Sequence, residues 1–133
     1  MPFASIGSAY VLGAGSVFLG LHCFIRPKKE YGRFGLPLES PPQQKGTADV
    51  GSVSPLIYLK GIREITYGLA LGVLQYQGQD DAVTTIAGII SLAGLGDGIV
   101  IWLNGGDEFK HMAFGHWGSF VALAVWSLRR ATS

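Results

Sequence analysis

Four ionisable or hydrogen-bonding residues stand close together in an otherwise apolar stretch: Lys60, Arg63, Glu64 and Tyr67. The last three follow Lys60 by three, four and seven residues, so a helix places all four on one face. Charge within a membrane segment is costly and usually marks function. This set predicts acid–base chemistry, in which Glu64 exchanges a proton, Arg63 holds a negative charge and Tyr67 donates a hydrogen bond.

A structural interpretation fits the same spacing. Lys60 and Arg63 would then extend to the lipid headgroups while Glu64 pairs with one of them. The charges would fix only the depth of the helix. Both interpretations need the same helix face, so the spacing alone does not separate them.

A second carboxylate, Asp97, lies between glycines in a later apolar stretch. An unpaired carboxylate cannot stay charged there, so it must be protonated, paired or hydrated. The cations Lys60 and Arg63 are the nearest candidate partners if the two helices pack together. Asp97 is then either part of one shared site or one half of a structural salt bridge.

His116 lies near the beginning of the last apolar stretch and shares a helix face with Ser119. His116 is either a pocket residue or an interfacial histidine bonded to a neighbour. His111 lies five residues earlier on another face, which argues against a metal held by both from one straight helix. We expect no metal and no cofactor, since a haem between His22 and His116 would need both at matching depth on facing helices.

Four apolar stretches must position these residues: about 4–25, 55–76, 82–103 and 112–128. The chain has 133 residues, of which 48% are hydrophobic and 14% charged, and its mean hydropathy is +0.34. Each stretch is close to the roughly 20 residues that cross the hydrocarbon core of a bilayer. We therefore predict an all-α fold, a four-helix transmembrane bundle forming one integral membrane domain over residues 1–133.

The connections follow from the polar residues. Residues 26–54 contain Pro27, Pro37, Pro41 and Pro42 and predict one long irregular loop between the first two long helices. The other links are short, which predicts antiparallel neighbours. Lysines and arginines concentrate in the long loop, which predicts that it faces the cytoplasm. Three pairs of small residues at four-residue spacing predict close helix packing: Ser16 and Gly20, Gly68 and Gly72, Gly94 and Gly98.

Several function classes lack support in this sequence. The single cysteine, Cys23, excludes an internal disulfide within these residues and a paired-cysteine metal motif. A formal net charge of +1 without a basic cluster gives no argument for nucleic-acid binding. Sequence motifs of nucleotide-dependent enzymes, serine hydrolases and zinc peptidases do not occur.

The run from Tyr58 to Leu71, an aspartate in the next helix and the sequence Gly-His-Trp-Gly in the last one together resemble the domain-of-unknown-function family 4267. The resemblance covers most of the chain outside the long loop. It implies a small four-helix membrane protein of a mostly fungal family, distantly similar to DoxX-like proteins. Glu64 stands where the family typically has aspartate. The matching positions are Lys60, Gly61, Arg63, Glu64, Gly68 and Asp97.

Some members of this family look like components of fungal natural-product gene clusters. The resemblance therefore favours a cofactor-independent cyclase, isomerase or epoxide-opening enzyme of secondary metabolism, acting on a lipophilic polyketide or terpenoid. Glu64 or Asp97 would protonate the substrate, Lys60 and Arg63 would stabilise negative charge, and Tyr67 or His116 would relay a proton.

Two other functions stay open. One is a non-catalytic accessory subunit or scaffold of a biosynthetic complex, whose charged face pairs with another membrane protein. The other is a small proton-coupled carrier, for which four short helices leave little room. The expected partners are membrane lipid, a lipophilic small molecule, and either a second copy of the chain or a pathway enzyme. The expected location is a multi-pass membrane position, with the endoplasmic reticulum as the candidate organelle.

Overall fold

The computed structural model describes residues 2–39 and 51–133, and every regular element in these ranges is a helix. Four helices are long. The elements in chain order are α1 (Phe3–Ile25), α2 (Pro27–Phe34), α3 (Leu56–Tyr76), α4 (Asp80–Asn104), α5 (Gly106–Phe109), a 3₁₀ turn (Lys110–Met112) and α6 (Ala113–Ala131).

The predicted all-helical fold is confirmed, and each apolar stretch forms one long helix. Two of these, α1 and α4, are long and apolar enough to cross a membrane. The prediction of an irregular loop over 26–54 is wrong at its beginning. Pro27 starts α2 at a position where its missing N–H costs nothing, and Gly35 ends it with a φ of 114°. The section 40–50 of that loop lies outside the described residues.

Helix α1 packs against α3 in antiparallel orientation along a seam of four glycines. Gly13 faces Gly68, and Gly20 faces Gly61. A methyl group on Gly13 would lie 2.8 Å from the Gly68 carbonyl oxygen, and one on Gly61 would lie 2.9 Å from the Gly20 carbonyl oxygen. The two backbones therefore touch, which small residues alone permit. Of the predicted pairs, Gly20 and Gly68 lie in this seam, whereas Gly72 faces open space.

Helix α4 packs against α6 and also contacts α3, so it joins the two helix pairs. Gly94 lies against the backbone of α6, where a methyl group would come within 3.2 Å of the His116 carbonyl oxygen. Gly98 accommodates the Trp117 ring, and the indole N–H of Trp117 donates to the Leu95 carbonyl at 3.3 Å. This close packing holds the beginning of α6, with His116, against α4.

A buried arginine joins the long helices at their ends away from α2. The Arg130 guanidinium on α6 donates to the Ser5 hydroxyl at 2.8 Å, to Gln75 Oε1 at 3.0 Å and to Thr84 Oγ1 at 3.1 Å. These acceptors belong to α1, α3 and α4. The side chain of Arg130 is only 2% exposed, and Asp80 Oδ1 lies 3.7 Å away. We call this set of contacts the Arg130 clasp.

Candidate active site

A pocket of about 190 Å³ lies between the long helices on the side of α2, and we call it the chamber. Its walls come from α1, α2, α3, α4 and α6. Five of the six predicted site residues line it: Lys60, Glu64, Tyr67, Asp97 and His116. The helical spacing of the first three and the contact of α3 with α4 explain why separate stretches of sequence meet here.

Arg63 lies behind the chamber wall. Its guanidinium Nη2 donates to both oxygens of Asp97, at 2.9 and 3.2 Å. This ion pair is the predicted contact between the second and third long helices. Arg63 and Asp97 also line a second pocket of about 460 Å³ beside α2, so the pair separates that pocket from the chamber. The buried Nε atom of Arg63 has no hydrogen-bond acceptor among the described residues.

Glu64 is held at the junction of α1 and α3. The Ser16 hydroxyl lies 2.7 Å from the Glu64 backbone oxygen and 3.2 Å from its side-chain Oε2. Arg63 Nη2 lies 3.5 Å from Oε1. The Glu64 side chain is 18% exposed, so it stays accessible to a small molecule in the chamber. Its geometry suits a carboxylate that gives or takes a proton.

Lys60 pairs with a carboxylate that the sequence analysis did not single out. Its ammonium lies 3.1 Å from Oε1 of Glu30 on α2. Glu30 is completely buried and also binds the Arg33 guanidinium and, at 2.7 Å, the His22 ring. Thus α1, α2 and α3 each bring one basic group to a single carboxylate.

The surroundings of Glu30 set its charge. Burial alone raises the pKa of a carboxyl group. Here hydrogen bonds from Arg33 and His22, together with the positive charges of Lys60 and Arg33, outweigh burial and lower the pKa of Glu30 from 4.5 to about 2. Glu30 is therefore a permanent anion at neutral pH. It anchors α2 and holds Lys60 in place.

His116 is bonded to α2 as well as facing the chamber. Its Nε2 lies 2.6 Å from the Phe34 carbonyl oxygen, and because a carbonyl only accepts, this nitrogen carries the proton. The Phe34 ring meets the imidazole edge-on, with ring centroids 4.6 Å apart. His116 is therefore both bonded to a neighbouring helix and part of the chamber wall.

An apolar groove of about 450 Å³ opens the chamber sideways between α1 and α6. Glu64, Tyr67, Leu19, Ile90 and Leu123 line both spaces. The remaining walls of the groove are almost entirely carbon. The polar chamber and the apolar groove are thus continuous at Glu64 and Tyr67.

Sequence reasoning missed Glu30, Ser16 and Arg130. A signal for Glu30 was present, because Glu30 and Arg33 have the spacing of a helical ion pair and stand between Pro27 and Gly35, residues that commonly begin and end a helix. Ser16 and Arg130 gave no comparable signal, since their partners are distant in the chain.

The fold and site define a small all-helical protein with a chamber of ionisable side chains between its long helices. The model of the family described as Domain of unknown function (DUF4267) matches residues 13–129. The chain belongs to this family. No curated protein and no solved structure matches it.

The six positions that carried the resemblance have distinct places in the structure. Lys60 binds Glu30, and Arg63 binds Asp97. Gly61 and Gly68 let α3 approach α1. Glu64 faces the chamber. Two of the six positions therefore bring α3 against α1, three form ion pairs between helices, and Glu64 is the member whose side chain faces both the chamber and the groove.

Proposed function

We propose that this is a multi-pass membrane protein that crosses the bilayer with α1, α3, α4 and α6. These helices have 23, 21, 25 and 19 residues, against the roughly 20 that a span requires. All four expose large apolar side chains, a surface that water disfavours and lipid accepts. Examples are Val11, Phe18, Leu69, Val73, Ile89, Leu92, Val121 and Val125.

The distribution of charge supports the same proposal. The side chains of Lys60, Arg63, Glu64 and Asp97 are at most 34% exposed and take part in ion pairs within the chain. Inward-facing, paired charges are the usual form of ionisable residues in membrane segments. Arg130 is bound within the protein, so it does not count as a headgroup residue. The basic residues near α2 then dominate, which favours the α2 side as cytoplasmic.

Cysteine labelling in sealed vesicles tests this topology. Lys29→Cys lies on the α2 side and Gln77→Cys on the opposite side, and the native Cys23 is buried. We expect a membrane-impermeant maleimide to label one variant from outside and the other only after permeabilisation. Equal labelling of both from outside would contradict four spans. Imaging of the tagged protein in cells tests the proposed endoplasmic reticulum location.

Within this membrane protein we propose an acid–base enzyme, a cyclase, isomerase or epoxide-opening enzyme for a lipophilic substrate. The observation that carries the proposal is the meeting of a polar chamber and an apolar groove at Glu64. A lipophile in the groove would bring its reactive group against a carboxyl group screened from bulk water. Low polarity around that group strengthens each electrostatic interaction made there.

The reaction needs only one proton to be removed from the substrate and one to be returned to it. The Glu64 carboxylate would remove a proton from a carbon or from an attacking hydroxyl of the substrate. The carboxylic acid so formed would then donate that proton to the epoxide or carbonyl oxygen of the same molecule, as a carbon–oxygen bond breaks or a double bond forms, which restores the carboxylate. Tyr67 would donate a hydrogen bond to the substrate oxygen, and His116 would relay protons. Lys60, Asp97 and Arg63 would set the field around Glu64.

Product profiling tests the catalytic proposal. Cells that make lipophilic polyketides or terpenoids would be compared by mass spectrometry with and without this chain, and with the variants Glu64→Gln and Asp97→Asn. We expect an isomeric or hydrated product that disappears in Glu64→Gln. The control is Glu108→Gln, which changes an exposed carboxylate that does not line the chamber. Full product formation by correctly inserted Glu64→Gln would disprove the role of Glu64.

The alternative is a non-catalytic accessory subunit or scaffold. Its charged face would pair with a partner, yet Lys60 and Arg63 already pair with Glu30 and Asp97 of the same chain. This pairing favours the enzyme. Stoichiometric co-purification with one membrane protein, with charge-reversal rescue between Lys60 and that protein, would favour the scaffold.

A further inference from the structure

The groove between α1 and α6 combines three properties that together specify a ligand. It is walled almost entirely by carbon, it opens outward, and it ends at the Tyr67 hydroxyl. On α1 its walls are Val11, Leu12, Gly15 and Phe18. Val11 and Phe18 are 71% and 68% exposed, so the rim of the groove faces outward.

The shape of the groove arises from how α1 and α6 meet. At one end the indole N–H of Trp126 donates to the Ser8 hydroxyl at 2.9 Å, and the Arg130 clasp joins the same helices. Beyond this contact the groove opens between them, with Leu123 on the α6 side. Gly15 has no side chain to fill this space, and even a methyl group there would meet nothing within 4 Å. Its volume of about 450 Å³ is typical of small-molecule sites.

The inner end of the groove offers hydrogen bonding without net charge. The Tyr67 hydroxyl has no hydrogen-bond partner in the described part of the chain, and Glu64 lies one turn away on α3. The lysine and arginine ion pairs beside the chamber join three carboxylates to three cations. The carboxylates are Glu30, Glu64 and Asp97, and the cations are Arg33, Lys60 and Arg63.

A charged headgroup would upset this balance in a place of low polarity, where an uncompensated ion is costly. An uncharged oxygen group would accept a hydrogen bond from Tyr67 without that cost. We infer that the groove and chamber together bind a linear lipophile of the acyl or isoprenoid type, taken up sideways from the bilayer, whose inner end carries a neutral hydroxyl, carbonyl or epoxide. This inference rests on the proposed function and specifies its substrate class.

Photolabelling of the purified full chain in lipid nanodiscs tests the inference without requiring turnover. The probe is a diazirine derivative of hexadecanol, and the comparison probe is the same derivative of hexadecanoic acid, which is an anion at neutral pH. We expect the alcohol to label the groove residues Leu12, Phe18 and Leu123, and the acid to label them several-fold less. Equal labelling by both probes would overturn the inference that the inner end of the ligand is uncharged.

A matched pair of glycine variants locates the site. Gly15→Trp would fill the groove, whereas Gly7→Trp adds the same ring to α1 at a position that also has open space but does not line the groove. We expect Gly15→Trp to reduce groove labelling about tenfold, which corresponds to about 1.4 kcal/mol, and Gly7→Trp to leave it unchanged. Labelling that is spread evenly over the outer helix faces, or that Gly15→Trp does not affect, would overturn the inference that the lipophile binds in the groove.

The outcomes also separate this inference from the enzyme proposal. Groove labelling that Gly15→Trp abolishes, without any product change in cells, would support binding and refute catalysis. Product formation that survives Gly15→Trp but not Glu64→Gln would support catalysis and refute the groove as the substrate-binding site. If Gly15→Trp instead shifts the oligomeric state in detergent and leaves labelling unchanged, a second copy of the chain fills the groove and the inference is wrong.

Discussion

Arg63 Nη2 joins α3 to α4 through both carboxylate oxygens of Asp97, at 2.9 and 3.2 Å. The pair crosses the contact between two helices that are otherwise joined less closely than α1 to α3 or α4 to α6. Asp97 lines the chamber, and both residues of the pair line the pocket beside α2. The pair therefore holds the two halves of the molecule at the distance that the chamber requires.

Removing one partner of this pair should destabilise the protein. Asp97→Ala leaves the Arg63 guanidinium without its carboxylate, and we expect a loss of about 2 kcal/mol. This is less than the roughly 3–5 kcal/mol of a fully buried pair, because the Arg63 side chain is 34% exposed. Thermal unfolding in detergent measures the effect. The exchange Arg63→Asp with Asp97→Arg should recover part of the loss, and no recovery would argue against a direct interaction.

Glu30 should make stability depend on pH in the acid range. Its pKa falls from 4.5 to about 2 on folding, so its stabilising contribution is complete above about pH 4.5 and is lost as the pH falls towards 2. The shift corresponds to about 3 kcal/mol. We expect Glu30→Gln to lower the melting temperature at neutral pH and to flatten its decline between pH 4.5 and 2.

The control for Glu30 is Glu108→Gln, which removes an exposed carboxylate on α5. It should leave both the melting temperature and its acid dependence unchanged. An acid decline of the Glu30→Gln protein as steep as that of the parent would show that other carboxylates control it.

Two glycines four residues apart on α3 should respond oppositely to alanine. A methyl group at Gly68 would lie 2.8 Å from the Val17 backbone nitrogen on α1, whereas one at Gly72 would meet nothing within 4 Å. We expect Gly68→Ala to cost about 1–3 kcal/mol through forced separation of the helices. Gly72→Ala should be neutral or stabilising by about 0.5–1 kcal/mol, because alanine favours the helix. Thermal unfolding of both variants distinguishes a backbone contact from a general preference for small residues.

The neighbouring arginines of α6 should differ sharply. Arg130→Lys replaces a planar group that reaches three other helices by an ammonium that cannot match its geometry. We expect it to lower stability by about 3 kcal/mol. Arg129→Lys, one residue earlier and exposed, should have no measurable effect. Similar melting temperatures for the two variants would mean that the Arg130 clasp contributes little.

The sequence predicted the parts of this structure that depend on local pattern. Apolar stretches of spanning length became the four long helices, and charges spaced along one helix face met in one chamber. The pair between Asp97 and Arg63 was also predictable, because an isolated carboxylate in an apolar helix requires a cation. These inferences needed only helical periodicity and the cost of unpaired charge.

Features that depend on contacts between distant residues were not predictable in the same way. The position of Arg130 at the end of an apolar stretch does not indicate its partners Ser5, Gln75 and Thr84, which are up to 125 residues away. The close seam of α1 and α3 follows a seven-residue glycine spacing rather than the four-residue spacing used for prediction. By sequence, Lys60 and Arg63 are both candidate partners of Asp97, and the structure pairs Lys60 with Glu30 instead, a residue of the predicted irregular loop.

The Arg130 clasp has a consequence for how the molecule is assembled. Ribosomes release α1, α3 and α4 before α6, so the side chain that joins these three helices is made after all of its acceptors. A chain still in synthesis can form the glycine seam, but it lacks the group that locks the helix ends together. These helix ends can therefore be joined only after α6 has been made, however early the glycine seam forms.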